Sequence, residues 1–162
     1  MKTCCFTGHR PDKIGGYYYD NPIRRRVLAA LDIAIDRAVA AGYTKFISGM
    51  ALGVDQDAAS IVLDKGLYLI AAVPCKGMEL RWPFDSQRAY RKLIDRASEV
   101  DYGAERYEGP QTMQNRNIWM AERSSLVIAV WNGTPGGTKN MLDYVRSIPD
   151  PRPAIWRINP TV

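Results

Sequence analysis

Three glycine-bearing segments hold most of the residues in this chain that are suited to chemistry. The strongest is Asn132-Gly133-Thr134-Pro135-Gly136-Gly137-Thr138, between the apolar run Leu126–Trp131 and a helical pattern. Glycines at a helix start leave backbone N–H groups open to an anion, and the positive helix end favours negative charge. The segment is neither the P-loop pattern, which needs Gly-Lys-Ser/Thr, nor the dinucleotide pattern with its own glycine spacing. A mere tight turn would not need three glycines and a threonine, so phosphate binding is the better reading.

The second segment is Ser48-Gly49-Met50-Ala51-Leu52-Gly53-Val54-Asp55, with two glycines four apart after a strand and a helix beginning beside them. Its free N–H groups suit a phosphate or a carboxylate. Asp55 is the odd member, because an acid repels phosphate. It either caps the helix or accepts a hydrogen bond from a ribose hydroxyl or a base amine. In the third segment, Thr7-Gly8-His9-Arg10, Gly8 would let backbone approach a ligand while His9 and Arg10 bring donors to an anion. The alternative is that His9 packs under the sheet edge and Arg10 pairs with a carboxylate. Arg81, Trp82 and Tyr17–Tyr19 would stack on a base and cover a pocket, or Trp82-Pro83 simply anchors a loop. Arg116 and Asn117 either face the ligand or satisfy loop carbonyls.

Such loops need a frame, and the apolar pattern supplies one. Strands are predicted over Lys2–Phe6, Thr44–Ile47, Leu67–Val73, Leu126–Trp131 and Ala154–Ile158, with a short extra one at Val100–Tyr102. Asn21-Pro22 reads as an N-cap and first helical turn. Ile23, Val27, Leu28, Leu31, Ile35 and Val39 mark one face of that helix, which Gly42 closes. Further helices are predicted before Gly66, over Asp85–Ala97, over Met113–Arg123 and up to Ser147. Strands alternating with helices give an α/β, Rossmann-like, doubly wound and mostly parallel sheet flanked by helices. Ligands of such sheets bind beyond the carboxyl ends of the strands, where strand order reverses. All three glycine segments converge on that edge.

The chain has 162 residues and 46% hydrophobic content, enough for one domain spanning 1–162 with a core that needs no disulfide or structural metal. Three cysteines and one histidine offer neither a disulfide framework nor a metal set. With no leader and no apolar run of membrane-spanning length, the expected location is the cytoplasm, with no membrane partner. A net charge of +5 favours anionic partners without choosing among them. Arg24–Arg26 is expected to be a solvated helix face.

Cys5-Phe6-Thr7-Gly8-His9-Arg10-Pro11, Ser48 to Asp55, Arg116-Asn117 with Met120, and Trp131 to Thr138, in that order, resemble the YpsA-like branch of the SLOG superfamily. That superfamily joins the Smf/DprA DNA-processing proteins and the LOG nucleoside-monophosphate phosphoribohydrolases. The resemblance implies a nucleotide-derived ligand over the glycine loops, and it suggests phage, bacterial stress or defence settings. In LOG enzymes a catalytic glutamate follows a related glycine loop. Here Lys139-Asn140-Met141 follows Gly137-Thr138, and the next acid is Asp143.

The expectation is therefore a module that senses or sequesters a phosphate-bearing nucleotide signal, such as an ADP-ribose-like or cyclic nucleotide, with no cofactor. The alternative is an N-glycosidic hydrolase using Asp55. A third reading is a DNA-processing accessory protein, for which Arg81, Arg88, Arg91, Lys92 and Arg96 would supply part of a basic surface that Asp85 and Asp95 interrupt. A homo-oligomer is also expected.

Overall fold

The computed structural model describes residues 2–18 and 20–161. Six strands form one sheet: β1 (Lys2–Gly8), β2 (Tyr43–Ser48), β3 (Tyr68–Val73), β4 (Glu99–Tyr102), β5 (Leu126–Val130) and β6 (Ala154–Ile158). Five α-helices connect them: α1 (Pro22–Ala40), α2 (Val54–Asp64), α3 (Phe84–Arg96), α4 (Pro110–Glu122) and α5 (Gly137–Ser147). The strand order is β4-β3-β2-β1-β5-β6, and every pairing is parallel. The fold is the Rossmann-like α/β sheet that the sequence implies.

Alternation along the central strands builds both cores. Cys4 and Phe6 of β1, and Leu126, Ile128 and Val130 of β5, face the layer that holds α1, α2 and α3. Cys5, Val127 and Ala129 face the other layer, with Met120 of α4 and Met141, Leu142 and Val145 of α5. Burial on both faces makes β5 a continuous apolar run, as parallel strands require. The order reverses at β1, which has β2 on one side and β5 on the other. A crevice between the carboxyl ends of β1 and β5 follows from that reversal.

Local chemistry sets the helix boundaries. The Asn21 side chain accepts from the Arg24 N–H at 2.8 Å, and Pro22 occupies the first turn of α1. Val27, Leu31 and Ile35 are buried as their spacing predicts, whereas Val39, placed on the same face by that spacing, is exposed near the helix end.

Arg24 departs from the expected solvated face. Arg25 and Arg26 are exposed, but Arg24 is buried, and its Nε and Nη2 donate to Asp57 of α2 at 2.5 and 2.9 Å. The first turn of α1 lies against α2, so a long side chain there reaches the Asp57 carboxylate and not water. Burial pushes the Asp57 carboxyl up, and Arg24 opposes that shift. No helix among the described residues is long and apolar enough to cross a membrane.

Candidate functional site

A cleft of about 240 Å³ opens at the β1/β5 reversal. Thr7, Gly8, His9 and Arg10 line it from the end of β1, Asp12 and Lys13 from a 3-10 turn over Pro11–Lys13, and Ala51 and Asp55 from the β2–α2 connection. Met113, Arg116, Asn117 and Met120 of α4 form another wall, and Gly136, Gly137 and Thr138 complete it at the start of α5.

The α5 start is built to stay open. Gly136 has φ 146°, a conformation that L side chains rarely adopt, and no side chain caps the helix. A Cβ on Gly137 would meet nothing within 4 Å. First-turn N–H groups of α5 therefore border the cleft without steric cover. The loop before them is stiffened from within: Asn132 Oδ1 accepts from the Thr134 N–H at 3.0 Å and from its hydroxyl at 2.6 Å, and Trp131 Nε1 donates to the Thr134 carbonyl. Lys13 Nζ donates to Thr134 Oγ1 at 2.9 Å and to the Pro135 carbonyl at 2.8 Å, which ties the 3-10 turn to this loop.

The glycines of the other two segments serve packing. A Cβ on Gly8 would collide with the Val54 side chain, so Gly8 is glycine because α2 presses on β1 there, and not chiefly to admit a ligand. Gly53 has φ 98°, and a Cβ would strike the His9 carbonyl; the Val54 N–H donates to that carbonyl at 3.2 Å. Gly49 is flanked by the Arg116 guanidinium and the Asp55 carboxylate, where a side chain would intrude on both.

Asp55 and Arg116 form the buried polar floor. Asp55 accepts from the Ala51 N–H at 3.3 Å, while Arg116 donates through Nη1 to the Gly49 carbonyl and through Nε to Asn117 Oδ1. Burial pushes the Asp55 carboxyl up, against the pull of Arg116, the Ala51 N–H and Arg10. Burial likewise lowers Arg116, against the pull of Asp55. His9 is 4% exposed and accepts the Asn132 N–H on Nε2; burial and Lys13 hold its pKa below the ordinary value. The ring is thus both packed and part of the cleft wall.

Not every expected residue reaches the cleft. Ser48, Gly49, Met50, Gly53, Val54, Asn132 and Gly133 shape its loops without lining it. Ser48 Oγ, for example, donates to the Asp55 carbonyl at 2.6 Å and accepts the Met50 N–H. Arg81 is exposed at the end of a 3-10 turn, and Trp82 meets Tyr90 edge-on with ring centres 5.5 Å apart. Trp82 packs against the core cluster under α3, so it anchors a loop and does not cover the cleft. Tyr17 and Tyr18 are exposed and do not line the cleft, and Tyr19 lies outside the described residues. Asp12, Lys13 and Met113 are lining residues outside the motifs, while Ala51 and Met120 stand in the motifs but were not among the expected binding residues. The proximity of Asp12 and Lys13 to His9-Arg10 was the available signal for those two. No group of three or more His, Cys, Asp or Glu side chains among the described residues is placed to hold a metal ion.

The chain is similar to several known proteins. The YspA SLOG family model matches residues 4–151. The uncharacterized SPbeta prophage-derived protein YoqJ of Bacillus subtilis (strain 168) is 30% identical over 132 residues, covering 72% of this chain and 77% of its own. A UPF0398 protein of Bacillus cereus (strain G9842) is 27% identical over 153 residues, covering 90% of this chain and 83% of its own. Among solved structures, DNA processing protein A of Streptococcus pneumoniae superimposes with a TM-score of 0.63 at 16% identity, over 88% of this chain and 46% of that one. The structure of TM1055 gives 0.55 at 16% identity, over 88% of this chain and 66% of that one. These structural likenesses are likenesses of fold. The family match spans nearly the whole sequence, all four motifs included, and the chain belongs to the YspA SLOG family.

Proposed function

We propose that the cleft binds the phosphate-bearing part of a nucleotide-derived small molecule, and that the protein senses or sequesters that molecule. The observation that carries this reading is the open α5 start. There, N–H groups without a side-chain cap face a cleft whose other walls bring Arg10, Lys13 and Arg116. Gly137, with open space where its Cβ would stand, leaves room for an anion to approach the helix end.

A second reading, N-glycosidic hydrolysis, has one observation in its favour: Asp12 lines the same cleft as Asp55. Two carboxylates are what a division into acid and base roles would need. Against it, Asp55 is engaged by the Ala51 N–H beside Arg116, in the position of a loop-organising group. A DNA-processing role ranks third. The Helicobacter pylori DNA processing protein A, whose structure concerns single-stranded DNA binding, shares the fold at TM-score 0.57. Here, however, the basic α3 face is partly neutralised, because Arg91 meets Glu79 at 3.8 Å and Arg96 meets Asp64 at 3.1 Å.

The deciding experiment incubates the protein with a panel of nucleoside monophosphates and ADP-ribose derivatives, denatures it and separates the products by chromatography. Binding alone returns a panel member intact, at up to one equivalent. Free base or ribose phosphate accumulating beyond one equivalent, and lost in Asp55→Asn, would overturn the binding-only reading.

A further inference from the structure

A second cavity, of about 200 Å³, lies at the carboxyl ends of β3 and β4. Ala72, Val73, Pro74, Asp101, Gly103 and Ala104 border it from the sheet side. Glu108, Thr112, Asn115, Arg116 and Trp119 border it from α4 and the loop before it. Arg116 belongs to both cavities, so the second adjoins the first along one side chain. The volume is below that of a pocket for a whole drug-sized ligand and suits a single heterocycle.

The lining chemistry narrows the choice. Asp101 is half-buried, and its carboxylate has no hydrogen bond or ion pair among the described residues. A carboxylate is acceptor-only, with two oxygens that suit a pair of parallel N–H donors. Arg116 has bonds from Nε and Nη1, and Nη2 has no acceptor among the described residues. Trp119 lines the cavity with an aromatic side chain, one face of which is covered by the Arg123 guanidinium, 4.1 Å from the ring centre. An occupant that satisfies all three is flat, carries two adjacent donors and also carries acceptors for a guanidinium.

We propose that this second cavity is a guanine-selective base pocket. Guanine presents N1–H and the N2 amine side by side for Asp101, and O6 with N7 are the acceptors that arginine reads most readily. Adenine lacks the paired donors, and hypoxanthine lacks the N2 amine. Contact with the Trp119 side chain supplies the part of the affinity that does not depend on base identity. This deepens the nucleotide reading above, and rests on it only in assigning base and phosphate to one ligand.

The test uses nucleosides without phosphate, on the full chain labelled with nitrogen-15. Guanosine should shift the amides of Asp101, Ala104 and Thr112 and the Trp119 indole signal, the last assigned from Trp119→Phe. Its binding should be about tenfold tighter than that of inosine, the loss expected for one hydrogen bond to a charged group, and tighter still than that of adenosine, which loses both donors. Asp101→Asn should erase the preference for guanosine over inosine while circular dichroism stays native. Absence of shifts at these residues, equal affinity for the three nucleosides, or a preference that survives Asp101→Asn would each overturn the proposal. Parallel titration with inorganic pyrophosphate reads the first cleft through Gly137 and Thr138, so a failure of the phosphate site is seen separately.

Discussion

The backbone N–H of Asn132 donates to His9 Nε2 at 2.9 Å, so one imidazole joins the loops that follow β1 and β5 across the crevice. That bond requires Nε2 to be unprotonated, and burial and Lys13 already oppose charging the ring. The folded-state pKa of His9 lies below its unfolded value, so the unfolded chain takes the proton more readily. Stability from this site is complete above about pH 6.5 and is lost as pH falls through the folded-state value. Urea midpoints of the wild type should fall from pH 7.5 to pH 5.5, and His9→Asn should flatten that dependence. Asp55 and Asp57, both pushed up by burial, contribute with the opposite sign, so it is the difference between wild type and His9→Asn that isolates the imidazole.

Gly137→Asp should abolish binding of inorganic pyrophosphate and leave the fold intact. A Cβ at the position meets nothing within 4 Å, and a carboxylate there opposes an anion at the helix end. Calorimetry that finds unchanged affinity, beside a native circular dichroism spectrum, would remove this loop from the binding site.

Gly8→Ala should destabilise the protein by about 1–3 kcal/mol, the usual range for an overpacked core. The added methyl runs into Val54, so Gly8→Ala with Val54→Ala should lose less than the sum of the two single changes. Strictly additive urea-denaturation energies would show that Gly8 and Val54 are not in steric contact.

Arg24→Met should lose about 3–5 kcal/mol, because Asp57 would be left as a buried carboxylate without its bidentate partner. Arg24→Met combined with Asp57→Leu should recover most of that loss. A double variant as unstable as Arg24→Met alone would argue against an isolated charge as the cause.

Local signals in the sequence were sufficient wherever a feature is decided within a few residues. The Asn21 cap, the buried alternation of β1 and the all-apolar β5 are such features, and all are found where the pattern predicts them. Convergence of the glycine loops was legible too, because parallel strands put their carboxyl ends on one edge. What escaped depends on distant partners. Arg24 is buried by a helix 33 residues away in sequence, and Gly8 is fixed by Val54, which no reading of Thr7-Gly8-His9-Arg10 contains. Trp82 had the composition of a base-stacking residue, but the path of α3 gives its ring to Tyr90. Lys13 is one position in a charged turn until the β5–α5 loop is brought beside it.

The hold on Lys13 has a kinetic consequence. Both acceptors of its ammonium group, Thr134 Oγ1 and the Pro135 carbonyl, are neutral oxygens. Hydrogen bonding therefore fixes the position of the group without cancelling its charge. The field of a fixed cation at the mouth of a cleft reaches about 8 Å at physiological ionic strength and farther in dilute buffer. A diffusing anion meets that attraction before it meets any N–H of α5, so its encounter rate, more than its dwell time, should fall as salt is added.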